Sequence, residues 1–374
     1  MKQSISLIFT VLVLASGVAF AGGQGEADGE AAESDGAEAT SEEPFRVAYV
    51  YLTPPGDLGW TYEHDQGRIE TQEHFGEEVE TEFIENVPEG PDSGRVMRQY
   101  AERGFDMIFA TSFGYMDYMD EVAAEFPDVR FEHASGYKTR DNMSTYFGRI
   151  YQPRYLSGIV AGGMTENDTI GYVAAFPIPE VIRGINAFTR GVRSVNEDAQ
   201  VRVVWTNTWY GPAQEREAAI ALLDAGVDII AQHQDTTEPQ KAAEERGIYS
   251  IGYNSDMQQF VGDSVLVSAV WNWEEYYIPT IQSALDGEWE SGQYYGGLGD
   301  DIVDLSEMSP NVPDELRETV AEERERIESG EWDVFHGPVV NQDGEVTVAE
   351  GEAMTDEEML NMSYFVEGVI GSTE

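Results

Sequence analysis

Apolar residues along this chain form short runs that alternate with segments of helical spacing. Residues 45–52 (FRVAYVYL) are apolar and β-branched, which indicates a buried strand, and residues 61–75 follow with helical spacing. Further strands are predicted at residues 79–84, 106–111, 129–133 and 143–148, with helices at 95–103 and 116–126. This alternation predicts a parallel sheet covered by helices on both faces.

The same order of elements restarts in the second half, after a predicted helix at residues 153–164. Strands are predicted at residues 169–175, 201–206, 228–231, 249–252 and 265–270, with helices at 180–195, 213–225 and 241–246. Later we expect helices at residues 274–286, 313–329 and 356–367, and a hairpin around Asp343-Gly344. The fold class is therefore α/β, with two doubly wound parallel-sheet lobes and a ligand cleft between them.

A chain of 374 residues exceeds the usual size of one hydrophobic core, which also favours two lobes. We expect lobe 1 to comprise residues 45–165 and about 272–300. Lobe 2 would comprise residues 166–271 and about 301–374, including a C-terminal crossover. Ligands of such sheets bind beyond the carboxyl ends of the strands, so the residues after each strand are the candidate ligand contacts.

Residues 1–21 have the pattern of an export signal, with Lys2 before the apolar residues 5–15 and Ala19-Phe20-Ala21 as the cleavage site. The acidic residues 22–44 predict a flexible tether, because they contain no aromatic or branched aliphatic side chain to bury. The chain has no cysteine, which excludes a lipid-modified one. We expect an exported protein, periplasmic or at the outer face of the cytoplasmic membrane, that either keeps its signal as an anchor or floats free.

The formal net charge is -50, from 71 acidic and 21 basic residues. A surface of this sign repels a phosphate backbone, so nucleic acid is excluded as a partner. Such a surface also repels itself unless counterions screen it, which at molar salt they do within about 3 Å. The composition favours a salt-loving source, and an acidic protein of ordinary habitat stays the alternative.

Aromatic, amide, hydroxyl and carboxyl side chains recur where the predicted strands end. Aromatic faces suit a planar heterocycle, and amides or carboxylates can hydrogen-bond to its edge. After the third strand, residues 111–115 join small hydroxyl residues to a helix start, where we expect free backbone N–H groups for a ligand acceptor. The candidate ligand-binding residues are Trp60, Thr61, Ser112, Phe113, Phe176, Trp209, Tyr210, Asp235, Asn254, Asp256 and Trp271.

Two histidines have an aspartate nearby: His64 precedes Asp65, and His233 lies two residues before Asp235. Neither pair has a nucleophile or a metal-ligand spacing beside it, and 71 acidic residues create such neighbours by chance. We therefore expect no enzymatic activity, no cofactor and no metal site. A secreted nucleoside hydrolase, the enzymatic alternative, would need an aspartate cluster for calcium near the strand ends, which the sequence lacks.

Several stretches of the chain carry a family resemblance. They are residues 56–61 (GDLGWT), 155–162 (YLSGIVAG), 182–191 (IRGINAFTRG), 251–256 (IGYNSD), 335–338 (FHGP) and 365–369 (FVEGV). On these motifs the chain resembles the basic membrane protein family of ABC-importer substrate-binding proteins, whose best-understood members bind purine nucleosides. The resemblance implies a type I periplasmic-binding fold, a small-molecule ligand and a membrane permease as partner. We also expect a monomeric protein.

By matching position, the resemblance implies that Trp60 and Tyr210 stack on opposite faces of the ligand and that Asp256 holds ribose hydroxyls. Nucleoside-binding relatives carry a lysine shortly after the strand that ends here at Val270, where this chain has Trp271-Asn272-Trp273. The departure favours a smaller, flatter ligand, a free purine base such as adenine. Riboflavin, sugars and autoinducers stay open as ligands, and a sensor that docks to a membrane receptor stays open as a function.

We expect the melting temperature to rise with salt concentration, because ions screen the repulsion among 71 acidic side chains. Thermal unfolding in potassium chloride, from about 0.1 M to about 3 M, measures this dependence, and the expected loss of stability lies below a few tenths molar. A melting temperature that stays constant across the series would contradict adaptation to salt.

Overall fold

The computed structural model describes residues 43–373, so the predicted signal and residues 22–42 of the predicted tether lie outside the described residues. The strands are β1 (Phe45–Val50), β2 (Val79–Ile84), β3 (Met107–Ala110), β4 (Arg130–Ala134), β5 (Met143–Gly148), β6 (Thr169–Ala174), β7 (Gln200–Trp205), β8 (Ile229–His233), β9 (Tyr249–Asn254), β10 (Val265–Trp271), β11 (Gln293–Gly296), β12 (Val303–Leu305), β13 (Val339–Val340), β14 (Val346–Val348) and β15 (Val369–Ile370). The helices are α1 (Trp60–Phe75), α2 (Pro91–Glu102), α3 (Met116–Glu125), α4 (Tyr151–Met164), α5 (Pro179–Val195), α6 (Pro212–Asp224), α7 (Glu238–Glu244), α8 (Gln258–Val261), α9 (Glu274–Leu285), α10 (Asp314–Glu328) and α11 (Asp356–Leu360).

These strands form two large sheets. The first has the order β11-β5-β4-β3-β1-β2, and its strand pairs are parallel. The second has the order β12-β10-β9-β8-β6-β7-β15 and is parallel except at its edge, where β12 runs antiparallel to β10. Strands β13 and β14 form the hairpin expected around Asp343-Gly344. The predicted α/β fold with two parallel sheets is confirmed.

The inner strands of both sheets are buried on both faces. Every residue of β3, β5 and β8 is buried, as expected for strands of a parallel sheet that is covered on both faces. Helices supply the covering layers: α2 and α3 pack on the first sheet, and α6 and α7 on the second. In residues 43–373 no helix is both long and apolar enough to cross a bilayer.

Within the described residues the chain passes between the sheets three times. Helix α4 leads from β5 to β6, the segment after β10 leads back through α9 to β11, and residues 297–302 lead on to β12. We propose that these crossings form the hinge and that the lobes divide near them, as the sequence predicted. The carboxyl ends of the two sheets then face a common cleft.

Helices α4 and α5 cross so closely that glycines meet the backbone of the partner helix. A Cβ atom at Gly191 would overlap the carbonyl oxygen of Tyr155, and one at Gly158 would overlap that of Phe188. Only glycine permits this approach, since a side chain would push the helices apart. Helix packing therefore explains Gly158 and Gly191 of the family-like stretches.

The last predicted helix, residues 356–367, is wrong in extent, because α11 ends at Leu360. The Asn186 side chain of α5 holds the following residues off a helical path. Its Nδ2 donates to the Tyr364 carbonyl at 2.8 Å, and its Oδ1 accepts from the Val366 N–H at 3.0 Å. These tertiary hydrogen bonds override the local helix preference, and β15, which the sequence did not predict, follows and pairs with β7.

Replacing Gly191 with alanine (Gly191→Ala) should lower the free energy of unfolding by about 2–3 kcal/mol, because the added methyl group forces α4 and α5 apart. Denaturant unfolding followed by circular dichroism measures the change. Gly292→Ala is the matched control, since no atom lies within 4 Å of its Cβ position, and it should change stability by less than about 0.5 kcal/mol. Equal losses in both variants would contradict the packing argument.

Candidate functional site

Two cavities lie between the carboxyl ends of the sheets and share Phe113, Ser135, Glu180 and Trp209. The inner cavity has a volume of about 40 Å³ and the outer one about 950 Å³. In this conformation the inner cavity admits only part of a heterocycle, so a ligand held there must extend into the outer cavity or part the lobes. The inner cavity is lined by Leu52, Trp60, Thr111, Ser112, Phe113, Ser135, Glu180, Trp209, His233, Asp235, Tyr253 and Asn254.

Trp60, the first residue of α1, forms one wall of the inner cavity. Its Nε1 donates to the Thr111 carbonyl at 2.7 Å, which fixes the ring against the end of β3. The ring stands edge-on to Trp271 and Trp273, with centroid distances of 5.6 and 5.4 Å. These two indoles are buried and stack on each other at 4.5 Å. Trp60 is therefore held in place, and Trp271 supports it from behind instead of lining the inner cavity.

The second aromatic wall comes from Trp209, in the loop between β7 and α6. Trp209 lines both cavities, and its ring centroid lies 5.1 Å from that of Phe176, which lines the outer cavity. Tyr210 is 37% exposed and lines neither of these two cavities in the described part of the chain. The sequence analysis identified the loop after β7 as part of the site, but it could not show whether Trp209 or Tyr210 faces the cavity. Of these two adjacent residues, Trp209 lines the inner cavity together with Trp60, whereas Tyr210 does not.

Glu89 occupies the hydrogen-bond donors expected to be free after β3. Its Oε1 accepts from the Ser112 hydroxyl at 2.5 Å and from the Gly114 N–H at 2.9 Å. The expectation of a free Gly114 N–H for a ligand is therefore wrong, because a carboxylate of the protein already takes it. Phe113 lies between these two residues, is 43% exposed and lines both cavities.

Asp235 and Asn254 form the polar corner of the inner cavity. Asp235 follows β8 and is buried, and its Oδ1 lies 3.4 Å from Nδ2 of Asn254, the last residue of β9. Trp271 Nε1 donates to Asn254 Oδ1 at 3.0 Å. A buried carboxyl and a fixed amide thus face a cavity whose other lining residues include four aromatic side chains.

Besides Tyr210 and Trp271, two further predicted contacts lie away from both cavities. Thr61 is fully buried behind the loop after β1, where its N–H donates to Asp57 Oδ2 at 3.0 Å. Asp256 lines a separate acidic pocket with Glu63 and Glu274. Its position gives no support to a role in holding ribose in the inner cavity. Among residues 43–373, no group of three or more His, Cys, Asp or Glu side chains is arranged to hold a metal ion.

Burial controls the protonation of the groups around the inner cavity. It lowers the pKa of His233 to about 4, so this side chain is neutral at neutral pH, with Nε2 3.6 Å from Glu180 Oε1. Burial raises the pKa of Glu215 to about 7 and the pKa of Asp235 well above its ordinary value. The site therefore carries less negative charge than the composition of the chain suggests.

Some residues at the cavities were missed in the sequence. Ser135, Glu180, His233 and Tyr253 line the inner cavity and lie at or beside element ends, so the rule that found the other candidates applies to them too. The outer cavity also receives Glu357, Leu360 and Asn361 from the C-terminal segment. No local pattern indicates that contact, because it depends on how α11 packs on α5.

Comparisons with known proteins agree with this architecture. The chain is 45% identical over 334 residues to a purine-binding protein of Brucella abortus, covering 89% of this chain and 95% of that protein. It is 46% identical over 348 residues to a putative ABC transporter glucose-binding protein of Haloferax volcanii, covering 93% and 86%. Among solved structures, an ABC transporter solute-binding protein of Conexibacter woesei matches with a TM-score of 0.65 and 23% identity, covering 77% of this chain and 97% of that one.

A family model of PnrA-like ABC transporter substrate-binding proteins matches residues 45–335, a range that holds every inner-cavity residue. Proteins of this class act outside the cytoplasm, bind a small molecule and deliver it to a membrane permease. The resemblance seen in the sequence is confirmed, and this chain belongs to the PnrA-like family of ABC transporter substrate-binding proteins.

Proposed function

We propose that this protein captures a purine base or nucleoside between Trp60 and Trp209 and delivers it to an ABC importer, acting as a monomer without catalysis. The observation that carries the ligand class is the inner cavity, in which aromatic walls from the two sheets flank a buried carboxyl and amide. Such walls stack on a planar heterocycle while the polar pair binds its edge. The purine-binding relative at 45% identity supports this ligand class.

Contacts between the segments that follow β1 and β9 favour a closed form. Ser255 Oγ donates to the Leu58 carbonyl at 2.5 Å, and the rings of Tyr62 and Phe260 meet edge to face at 5.4 Å. These contacts exist only while the lobes lie together, so they stabilise the closed form relative to the open one. A ligand that touches both walls increases this free-energy difference between the two forms. A permease that recognises only the closed form would then receive loaded protein.

A sugar is the second candidate ligand, because the relative at 46% identity is named as a putative glucose-binding protein. A sugar would need hydrogen-bond partners around its whole rim. The inner cavity carries polar groups besides Asp235 and Asn254, among them Glu180 and His233, but four aromatic residues supply much of its lining: Trp60, Phe113, Trp209 and Tyr253. Four aromatic rings around one cavity favour a flat heterocycle, which can stack on them.

Titration calorimetry with adenine, guanosine, inosine and glucose should show at least one purine with a Kd below about 100 µM. Stacking on an aromatic ring contributes about 1–3 kcal/mol for each base, and hydrogen bonds to the edge add to this. The measurement uses the full exported chain at a salt concentration that keeps it folded. Binding of glucose with no response to any purine would contradict the purine assignment.

Trp209→Ala should weaken purine binding about 10- to 100-fold, because it removes one aromatic wall. Tyr210→Ala is the matched control: it removes an adjacent aromatic ring that lines neither cavity, and its affinity should stay within about twofold of the wild type. The opposite ranking of these two variants would restore Tyr210 as the ligand-facing residue.

A further inference from the structure

Asp235 carries a buried carboxyl group that forms few hydrogen bonds with the protein. Its side chain is 6% exposed and faces the inner cavity. In residues 43–373 its hydrogen bond from Asn254 is long, at 3.4 Å, and it has no ion-pair partner. A carboxyl group in this position has most of its bonding capacity left for a ligand.

The orientation of the Asn254 amide distinguishes the two oxygens of Asp235. Trp271 Nε1 can only donate, so the atom 3.0 Å from it must be the amide oxygen of Asn254. The amide nitrogen then points to the Gln234 carbonyl at 3.3 Å and to Asp235 Oδ1 at 3.4 Å. Oδ1 is therefore the acceptor of the carboxyl group, and Oδ2 is the atom that can carry a proton.

Three further carboxyl groups act on Asp235 from the elements around it. They are Asp57 in the loop before α1, Glu180 at the start of α5 and Glu215 on α6. Burial raises the pKa of Asp235 well above its ordinary value, and the negative charges of these neighbours raise it further. Both effects favour the neutral acid in the empty protein.

In the described part of the chain, none of the basic side chains near this corner forms a hydrogen bond or an ion pair with Asp235. His233, on β8, is neutral at neutral pH because burial lowers its pKa to about 4. Arg154, on α4, lies 3.4 Å from the centroid of the Tyr253 ring. Arg183, on α5, donates through Nη1 to the Met359 carbonyl at 2.9 Å.

We propose that Asp235 binds its ligand as a neutral carboxylic acid and thereby selects an edge with an amino group beside an unprotonated ring nitrogen, as in adenine. This inference rests on the proposed function. Oδ1 accepts from the amino group, and Oδ2–H donates to the ring nitrogen. Guanine offers two neighbouring N–H donors on its pairing edge, and an ionised carboxylate binds those better than an acid does.

The pH dependence of binding tests this assignment. An acid whose pKa is raised stays protonated below that pKa and ionises as the pH rises through it, so adenine affinity should fall with rising pH by up to tenfold for each pH unit. Guanine affinity should not fall. Calorimetric titrations of both bases, from about pH 6 to about pH 8 at one salt concentration, give the two profiles, because both free bases stay neutral in this range.

Two substitutions separate Asp235 from other titrating groups. Asp235→Asn keeps one donor and one acceptor, so it should retain adenine binding and lose the pH dependence, whereas Asp235→Ala should weaken adenine binding about 10- to 100-fold. Asp256→Asn is the matched control, because Asp256 lies outside the inner cavity, and it should keep the wild-type profile.

The outcomes distinguish this inference from the function on which it rests. Adenine affinity that rises with pH, or an Asp235→Asn variant that keeps the wild-type profile, would overturn the role of Asp235 and leave purine capture intact. The second result would assign the titration to Glu215, whose pKa burial raises to about 7. Failure of the wild-type protein to bind any purine would overturn the proposed function itself.

Discussion

The stack of Trp271 on Trp273 is the contact on which the cleft depends. Trp271 ends β10 in the second sheet, and Trp273 precedes α9, which packs on α1 beside the first sheet. Trp273 also stacks on His64 of α1 at 4.3 Å, so the rings join both sheets where the chain crosses between them. Burial of each indole contributes about 4–6 kcal/mol before the loss of side-chain entropy. Trp271 of this stack also packs against Trp60 and donates a hydrogen bond to Asn254. The stack therefore helps to position both an aromatic wall and the polar corner of the inner cavity.

The buried guanidinium group of Arg154, close to the inner cavity, lowers the stability of the folded protein. Arg154 is fully buried, and its Nη1 donates to the Gln232 carbonyl at 2.6 Å, while Nε and Nη2 have no hydrogen-bond partner within residues 43–373. An enclosed charge with incomplete hydrogen bonding costs free energy, and its position over the Tyr253 ring recovers only part of that cost. Because Tyr253 lines the inner cavity, this unfavourable polar arrangement lies next to the candidate ligand site. Natural proteins tolerate such arrangements mainly where function requires them.

The sequence predicted the fold well because its signals are local. The strands at residues 79–84 and 143–148 were predicted with the bounds that the structure shows, since β-branched and aromatic residues recur in both segments. Strands β11, β12 and β15 were missed because they are short and their pairing depends on distant partners. Propensity favours a helix beyond Leu360, but hydrogen bonds from Asn186 decide otherwise.

The sequence predicted which loops form the candidate site, but not which side chains within each loop face the cavity. Strand ends located Trp60, Asp235 and Asn254, which the structure brings together in the inner cavity. The same rule could not decide between Trp209 and Tyr210, because the direction of a side chain in a loop depends on packing. The sequence also could not show which acidic side chains contact the site residues. Glu89, for example, accepts a hydrogen bond from the Ser112 hydroxyl although the two residues lie 23 positions apart.

The crowding of tryptophans around the cleft gives the protein a built-in optical reporter. Of the seven tryptophans in the chain, Trp60 and Trp209 line the inner cavity, and Trp271 and Trp273 support it. Indole emission shifts when water leaves the ring or a planar molecule stacks on it. Occupancy of the cleft can therefore be followed through intrinsic fluorescence without a label, and rapid mixing would separate the arrival of a ligand from the slower movement of the lobes.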